Sequence, residues 1–171
     1  YHLSVIKKEK SSLKMLKKQH LIFSVAIIFF LNISILKAEL KTPNNQIVPS
    51  DVVKIQLVGL MNNDKEHLDS GIEQTWNFAH PNNKQNTGPL PKFKMMIKGN
   101  SYKMLIDHLS HTITQLGAGD DWAQFEVIIL DKDKIYHKFN WQVEKYTLDG
   151  PLKDCWLTTI VSSPISLGSS I

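Results

Sequence analysis

A strict alternation of side-chain types near the C-terminal end of the chain is the feature that most constrains the fold. One set of alternate positions is apolar except for a histidine, and it comprises Ile135, His137, Phe139, Trp141 and Val143. The positions between them, within residues 136–144, hold mainly polar side chains. Because successive side chains of a strand point to opposite faces, this pattern predicts a strand with one face in a core and the other in water.

Further segments predict the neighbouring strands. Alternate apolar residues at 123–129 predict one strand, and the polar run 131–134 predicts the turn that joins it to the strand above. Apolar residues spaced four apart between 105 and 113 predict an earlier strand on which Asp107 and His111 share a face. Residues 155–161 predict a last strand after the turn at Gly150.

The first half of the domain has apolar residues at helical spacing instead. Residues 49–61 predict a first helix, with Ser50 as its N-cap. Ser70 and Glu73 have the capping-box arrangement that opens a second helix, and residues 88–99 predict a third, short one. Helices followed by antiparallel strands predict an α+β domain, with about three helices packed on a curved, cone-like antiparallel sheet of about four strands.

The composition along the chain predicts one folded domain with a leader. The predicted segments are an upstream extension (1–14), a signal peptide or signal anchor (15–38), a linker (39–48), the α+β domain (49–161) and a flexible tail (162–171). In the leader, lysines precede the apolar run 21–31, which is shorter than the roughly 20 residues of a spanning helix. We therefore expect an exported protein, released or membrane-anchored, in a periplasm or a thylakoid lumen.

The charge distribution argues against nucleic acid as a partner. Seven of the 20 lysines lie before Glu39, and from Glu39 onward 13 lysines face 15 acidic residues. The predicted domain is thus mildly acidic and lacks the positive footprint of a nucleic-acid binder. No arginine, which supplies the commonest bidentate base contact, occurs in the chain.

Several short segments together resemble a known family. They are Pro49–Leu57 (PSDVVKIQL), Asn63-Asp64, Trp76–Pro81 (WNFAHP), Gly88–Leu90 with Phe93 and Met96, and Gly150–Trp156 (GPLKDCW). This combination resembles the family called domain of unknown function 4864, and the resemblance covers about residues 49–161. The family's layout is similar to the nuclear transport factor 2-like (cystatin-like) cone. The resemblance implies no catalytic or ligand residue, since none is established for the family.

Three titratable residues are the weak catalytic candidates. Asp107 and His111, on one face of the predicted strand, could act as acid and base in a cone pocket, with His137 nearby. The alternative is that the pair lies in water at an edge, and we prefer it because titratable pairs are common and catalytic ones rare. On a strand the three-residue spacing of His108 and His111 separates them, so the sequence predicts no metal site.

Aromatic residues could instead line an apolar pocket in the cone. The predicted lining comprises Trp76, Phe93, Phe125, His137, Phe139 and Trp141. Residues 82–89 are interpreted as a polar loop that caps a helix, and Cys155 as a small buried hydrophobe.

Three functions remain open from the sequence. The first is a non-catalytic accessory module that binds a small apolar ligand or a protein partner, without a cofactor. The second is an isomerase- or dehydratase-like enzyme that uses Asp107 and His111. The third is a structural partner of a membrane complex that uses an exposed sheet face. A homodimer through the sheet is a separate partner that the sequence leaves open.

Overall fold

The structure, a computed structural model, describes residues 39–169. The predicted leader and residues 170–171 lie outside the described residues. The helices are α1 (Pro49–Met61), α2 (Ser70–Asn77), α3 (Pro81–Thr87) and α4 (Leu90–Lys98). The strands are β1 (Ser110–Ala118), β2 (Trp122–Leu130), β3 (Ile135–Lys145), β4 (Trp156–Val161) and β5 (Ile165–Ser169). In this part of the chain, no helix is both long and apolar enough to cross a membrane.

The five strands form one open antiparallel sheet with β3 at its centre. β2 pairs with one edge of β3, and β1 pairs with the far edge of β2. The other edge of β3 is shared, because β4 pairs with its C-terminal half and β5 with its N-terminal half. The predicted α+β class is confirmed, with four helices among residues 39–169 instead of about three and five strands instead of about four.

One face of the sheet forms the core with the helices. The predicted alternation is confirmed on both central strands, where the buried apolar residues are Ala123, Phe125, Val127 and Ile129 on β2, and Phe139, Trp141 and Val143 on β3. They join a single buried cluster with residues of α1, α2 and α4. Among residues 39–169, the helices of this cluster pack on that face, and the opposite face of the sheet is here called the outer face.

A glycine sets the crossing of α1 and α2. A Cβ atom on Gly71 would overlap the carbonyl oxygen of Gly59, so no larger residue fits there without movement of the backbone. The buried Asn63 holds the start of α2, since its carbonyl oxygen accepts from the Gly71 N–H at 2.8 Å and from Ser70 Oγ at 2.7 Å. Its side-chain oxygen accepts from the Ile72 N–H at 3.1 Å.

Both predicted N-caps are wrong. Ser70 lies inside α2, whose N-cap is Asp69, and its hydroxyl bonds to the preceding loop. Glu73 binds Lys94 Nζ at 2.6 Å instead of closing a capping box. The first helix begins at Pro49, one residue before the predicted cap Ser50.

The additional helix, α3, occupies the stretch that the sequence predicted to be a polar loop. Pro81 stands at its first position, where a missing N–H costs nothing. His80 Nδ1 accepts a hydrogen bond from the Asn82 N–H at 3.1 Å, and Thr87 Oγ1 donates to the Asn83 carbonyl at 2.8 Å. These local bonds stabilise about two turns of helix, which has no buried residue and therefore no apolar stripe.

Two strands differ from the prediction: β1 begins later than predicted, and β5 was not predicted at all. Leu105 belongs to a short 3₁₀ helix, and Asp107 has φ of 56°, a left-handed conformation that ends any extended run. β1 therefore begins only at Ser110. β5 lies in the predicted flexible tail, and all its residues are exposed, so backbone pairing with β3 holds it without an apolar pattern.

The predicted linker contacts the helices. The backbone of Lys41 exchanges two hydrogen bonds with the buried Gln74 side chain, at 2.8 Å and 2.9 Å. Ile47 packs against the core cluster. Residues 39–48 are therefore attached to α1 and α2 over part of their length.

Candidate functional site

The predicted acid–base pair is not brought together. Asp107 is exposed in the turn before β1, and its backbone N–H donates to the Leu60 carbonyl at 2.9 Å. His111 takes His108, not Asp107, as its hydrogen-bond partner. The sequence missed this contact because the left-handed Asp107 folds His108 back instead of extending it along a strand.

The two histidines form a hydrogen-bonded chain. His108, only 2% exposed, has Nδ1 at 2.7 Å from the Leu105 carbonyl oxygen, so this nitrogen carries the proton. His108 Nε2 therefore accepts from His111 Nδ1 at 2.8 Å. Burial lowers the pKa of both histidines, and the charge of Lys54 lowers that of His111 further. Both rings are thus held neutral near pH 7.

His137 is paired with an aspartate that the sequence treated only as part of a turn. His137 Nε2 donates to Asp131 Oδ2 at 2.7 Å, and both residues are buried. Asp131 Oδ1 accepts from the Asp133 and Ile135 N–H groups, each at 2.9 Å. Burial opposes ionisation of Asp131, but these bonds and His137 outweigh it and lower its pKa. The dyad therefore ties β3 to the β2–β3 turn.

The catalytic candidates on the sheet lie in one row but have separate partners. His111, Ile129 and His137 are direct neighbours across β1, β2 and β3. The side chain of Ile129, fully buried, stands between the two histidines. Neither open cavity described below is lined by any residue of this row.

Five of the six predicted pocket residues belong to the core cluster or pack against it, and the sixth, His137, is bound to Asp131. Phe125 lies opposite Trp141 across the β2–β3 pair, and these two side chains and Phe139 are 0–1% exposed. Trp76 is partly buried and its ring centroid lies 5.0 Å from that of Phe93. None of the six lines either of the two cavities.

A buried polar network fixes Trp141. Its Nε1 donates to Gln56 Oε1 at 3.0 Å, and Thr158 Oγ1 donates to the same oxygen at 2.6 Å. Gln56 Nε2 donates to the Thr75 carbonyl at 3.0 Å. The network joins α1, α2, β3 and β4. No periodic pattern predicted the role of Gln56, a polar residue between apolar neighbours.

The surface of residues 39–169 includes two open cavities. The larger, about 1000 Å³, lies between residues 39–47 and the first two helices. The other, about 710 Å³, lies where β3 ends, and we call it the sheet-end cleft. Its lining includes His80, Asp121, Trp122, Gln142, Glu144 and Tyr146.

β4 positions the first wall of the sheet-end cleft. The N–H of His80 donates to the Thr158 carbonyl at 2.8 Å, and Ala79 forms a parallel bridge with Thr158. The His80 ring packs against Tyr146, with centroids 5.5 Å apart. Because His80 Nδ1 accepts from Asn82, its proton is on Nε2. Burial lowers the pKa of His80, although the charge of Glu144 acts in the opposite direction.

Trp122 and Glu144 form the floor and the second wall. They are direct partners across the β2–β3 pair and therefore share the outer face of the sheet. Trp122 is 41% exposed, and its ring rests against Gly117 and Gly119, where a Cβ would crowd it. Glu144 Oε1 accepts from Gln142 Nε2 at 2.6 Å, which fixes the carboxylate.

The sheet-end cleft offers recognition groups and no assembled catalytic set. It combines two carboxylates, an aromatic ring and amide groups on fixed backbone. Among residues 39–169, no group of three or more metal-ligating side chains could hold a metal ion. Cys155 is buried, and burial with the charge of Asp154 raises the pKa of its thiol, in agreement with its prediction as a buried hydrophobe.

Comparisons with family models, curated proteins and solved structures found no match to this chain. The resemblance to domain of unknown function 4864 therefore stays a prediction.

Proposed function

We propose that this protein is a non-catalytic binding module that holds a small ligand, or part of a protein partner, in the sheet-end cleft. The proposal is carried by one observation: a preformed cavity of about 710 Å³ lies where β3 ends, and hydrogen bonds fix the His80 ring and the Gln142 and Glu144 side chains in its lining. Ligand sites in proteins are usually such largely preformed concave surfaces.

The packing of the interior supports a surface site over a site inside the sheet. Phe125, Phe139 and Trp141 are almost fully buried and belong to one continuous apolar cluster with the helices. A ligand between the sheet and the helices would have to displace this packing, and protein interiors are close-packed. We therefore place the ligand outside the cone that the sequence favoured.

The histidine contacts support binding over acid–base catalysis. His111 donates to His108, and His137 donates to the ionised Asp131, so both candidates have structural partners. A general base must reach the proton of a bound substrate, and neither described cavity adjoins these two rings.

The outer face of the sheet favours a second candidate, a scaffold that binds a protein partner or a second copy of the chain. Large apolar side chains on or beside this face are 37–55% exposed, namely Leu116, Tyr136, Ile160, Ile165 and Leu167. Exposed apolar surface of this kind marks protein interaction sites when it is continuous.

We further propose that the module acts outside the cytoplasm, released or membrane-anchored, and that it is a nuclear transport factor 2-like relative. The leader pattern at residues 15–38 supports the first statement. Helices that precede an antiparallel sheet support the second at the level of fold class.

A fragment titration followed by ¹H–¹⁵N correlation spectroscopy tests the binding site. The full-length chain, in a non-ionic detergent, receives separate amines, carboxylates, neutral amides and sugars. We expect at least one class to give saturable shifts at the Trp122 indole and the Gln142 and Glu144 amides. The buried indole of Trp141 serves as an internal reference.

A cleft-filling variant sharpens the test. Asn82→Trp adds bulk to the cleft wall without removing a hydrogen-bonded side chain, and it should abolish the shifts. Lys132→Trp, in the exposed turn at the opposite end of β2, should leave them unchanged. Shifts confined to the Trp141 side of the sheet, or none at the cleft for any class, would refute the proposed site.

A further inference from the structure

The sheet-end cleft has an excess of negative charge. Asp121 and Glu144 both line it. Across residues 39–169, neither carboxylate has a lysine or histidine within ion-pair distance. Asp120, next to Asp121 in an exposed turn, adds a further negative charge nearby.

The lining contains one lysine, Lys145, and its ammonium group contacts a ring outside the cleft. Lys145 Nζ lies 5.1 Å from the ring centroid of Trp156, in a cation–π contact outside the set of residues that line the cleft. Its backbone N–H donates to the Asp121 carbonyl at 2.8 Å, so the lysine fixes the turn without neutralising the acids. The neutral His80 does not neutralise them either.

An aromatic ring stands beside the carboxylates. Trp122 is opposite Glu144 on adjacent strands, a position in which side chains are typically about 5 Å apart. The indole is supported on one side by Gly117 and Gly119, and 41% of the residue is open to solvent. Among aromatic side chains, tryptophan attracts a cation most strongly when the cation lies over the ring face, within about 6 Å of the ring centroid.

We propose that the sheet-end cleft binds an organic cation, an ammonium or guanidinium group, between the Trp122 ring and the carboxylates of Glu144 and Asp121. This inference rests on the proposed function, because it names the class of ligand for that same site. The Glu144 carboxylate, held by Gln142, the exposed Asp121 carboxylate and a half-exposed indole are complementary to a positive charge that carries apolar surface. An anionic ligand would meet only repulsion from both acids.

Matched ligands test the charge requirement. N-acetylarginine methylamide is titrated into the full-length chain against its neutral isostere N-acetylcitrulline methylamide and the anionic N-acetylglutamate methylamide. The arginine derivative should shift the Trp122 indole at about fivefold lower concentration than the citrulline derivative, the upper range for an exposed charge pair. Raising the salt from about 0.01 M to about 1 M should remove most of this difference.

Charge-neutralising variants test whether Glu144 and Asp121 contribute to binding of the cation. Glu144→Gln and Asp121→Asn keep the shape of each side chain, and each should weaken arginine binding about two- to fivefold without changing citrulline binding. Glu126→Gln makes the same change on the outer face of the sheet at a residue outside the cleft lining, and should have no effect. Two independent variants keep the test decisive if one of them fails to fold.

The outcomes separate the two proposals. Equal affinity for arginine and citrulline derivatives at the cleft, or preference for glutamate, overturns the cationic ligand and leaves the binding site intact. No shift at the cleft with any ligand overturns both. If arginine is preferred, methylguanidinium and a capped Gly-Gly-Arg-Gly-Gly peptide identify the source: tighter binding of the peptide supports a partner protein, and equal binding supports a small free cation.

Discussion

The substitution Trp141→Ala tests whether the interior of the domain is a solid core. Trp141 is 1% exposed, lies opposite Phe125 and donates to Gln56 Oε1 at 3.0 Å. Removal of a fully buried aromatic side chain costs about 3–5 kcal/mol, because the burial is lost and the cavity collapses only in part. Gln56 Oε1 keeps its bond from Thr158 Oγ1 at 2.6 Å, so no unpaired oxygen adds to this cost.

The assay is urea unfolding of the full-length chain, followed by far-UV circular dichroism. This signal does not depend on tryptophan fluorescence, which the substitution would itself change. With a slope of about 1–3 kcal/mol per molar urea, a loss of 3–5 kcal/mol moves the midpoint by at least about 1 M. Small domains have about 5–15 kcal/mol in total, so the variant should remain partly folded in water.

Trp122→Ala is the matched control. The residue type and the sheet are the same, but Trp122 is 41% exposed on the outer face, so we expect a loss of only about 1 kcal/mol. The reasoning is refuted if Trp141→Ala costs less than about 1.5 kcal/mol, or no more than Trp122→Ala. Either result would mean that the interior is loosely packed and open to a ligand.

The remaining predictions concern the helix crossing, acid stability and the cleft. Gly71→Ala should cost at least about 2 kcal/mol, and Gly59→Ala, with milder contacts of 3.2–3.3 Å, should cost less in the same urea assay. Burial lowers the pKa of His108 and His111 below the ordinary 6.5, so the unfolded chain binds more protons and stability should fall as the pH drops below 6.5. His111→Gln should flatten this dependence between about pH 7 and 5. Neutralising either cleft carboxylate should weaken cation binding as described above.

The buried faces of the central strands were the part of the fold that could be predicted best from the sequence. The alternation predicted correctly the buried apolar residues of β2 and those of β3 from Phe139 to Val143, because these side chains join the core cluster. The features without a burial pattern were missed. α3 has no buried residue and β5 is exposed throughout, so both are held by local or backbone hydrogen bonds.

The candidate site depended on contacts distant in sequence, which a local pattern does not contain. Glu144 meets Trp122 only through the register of β2 and β3, and His80 reaches the cleft only through its bond to Thr158. For Asp107 the local pattern was misleading. The spacing predicted that it lies in a strand, but its own left-handed backbone conformation places it in the turn before β1. The hydrogen bond between Asp131 and His137 was not predicted, because the sequence assigned Asp131 only to the turn between two strands.

A crystal structure of the full-length chain, soaked with N-acetylarginine methylamide and with neutral and apolar fragments, tests the central claim most directly. We expect electron density for the arginine derivative in the sheet-end cleft, with its guanidinium group between Trp122 and Glu144, and an unchanged interior. Density for a fragment between Trp141 and α1, with an empty cleft, would contradict it and restore the pocket inside the sheet.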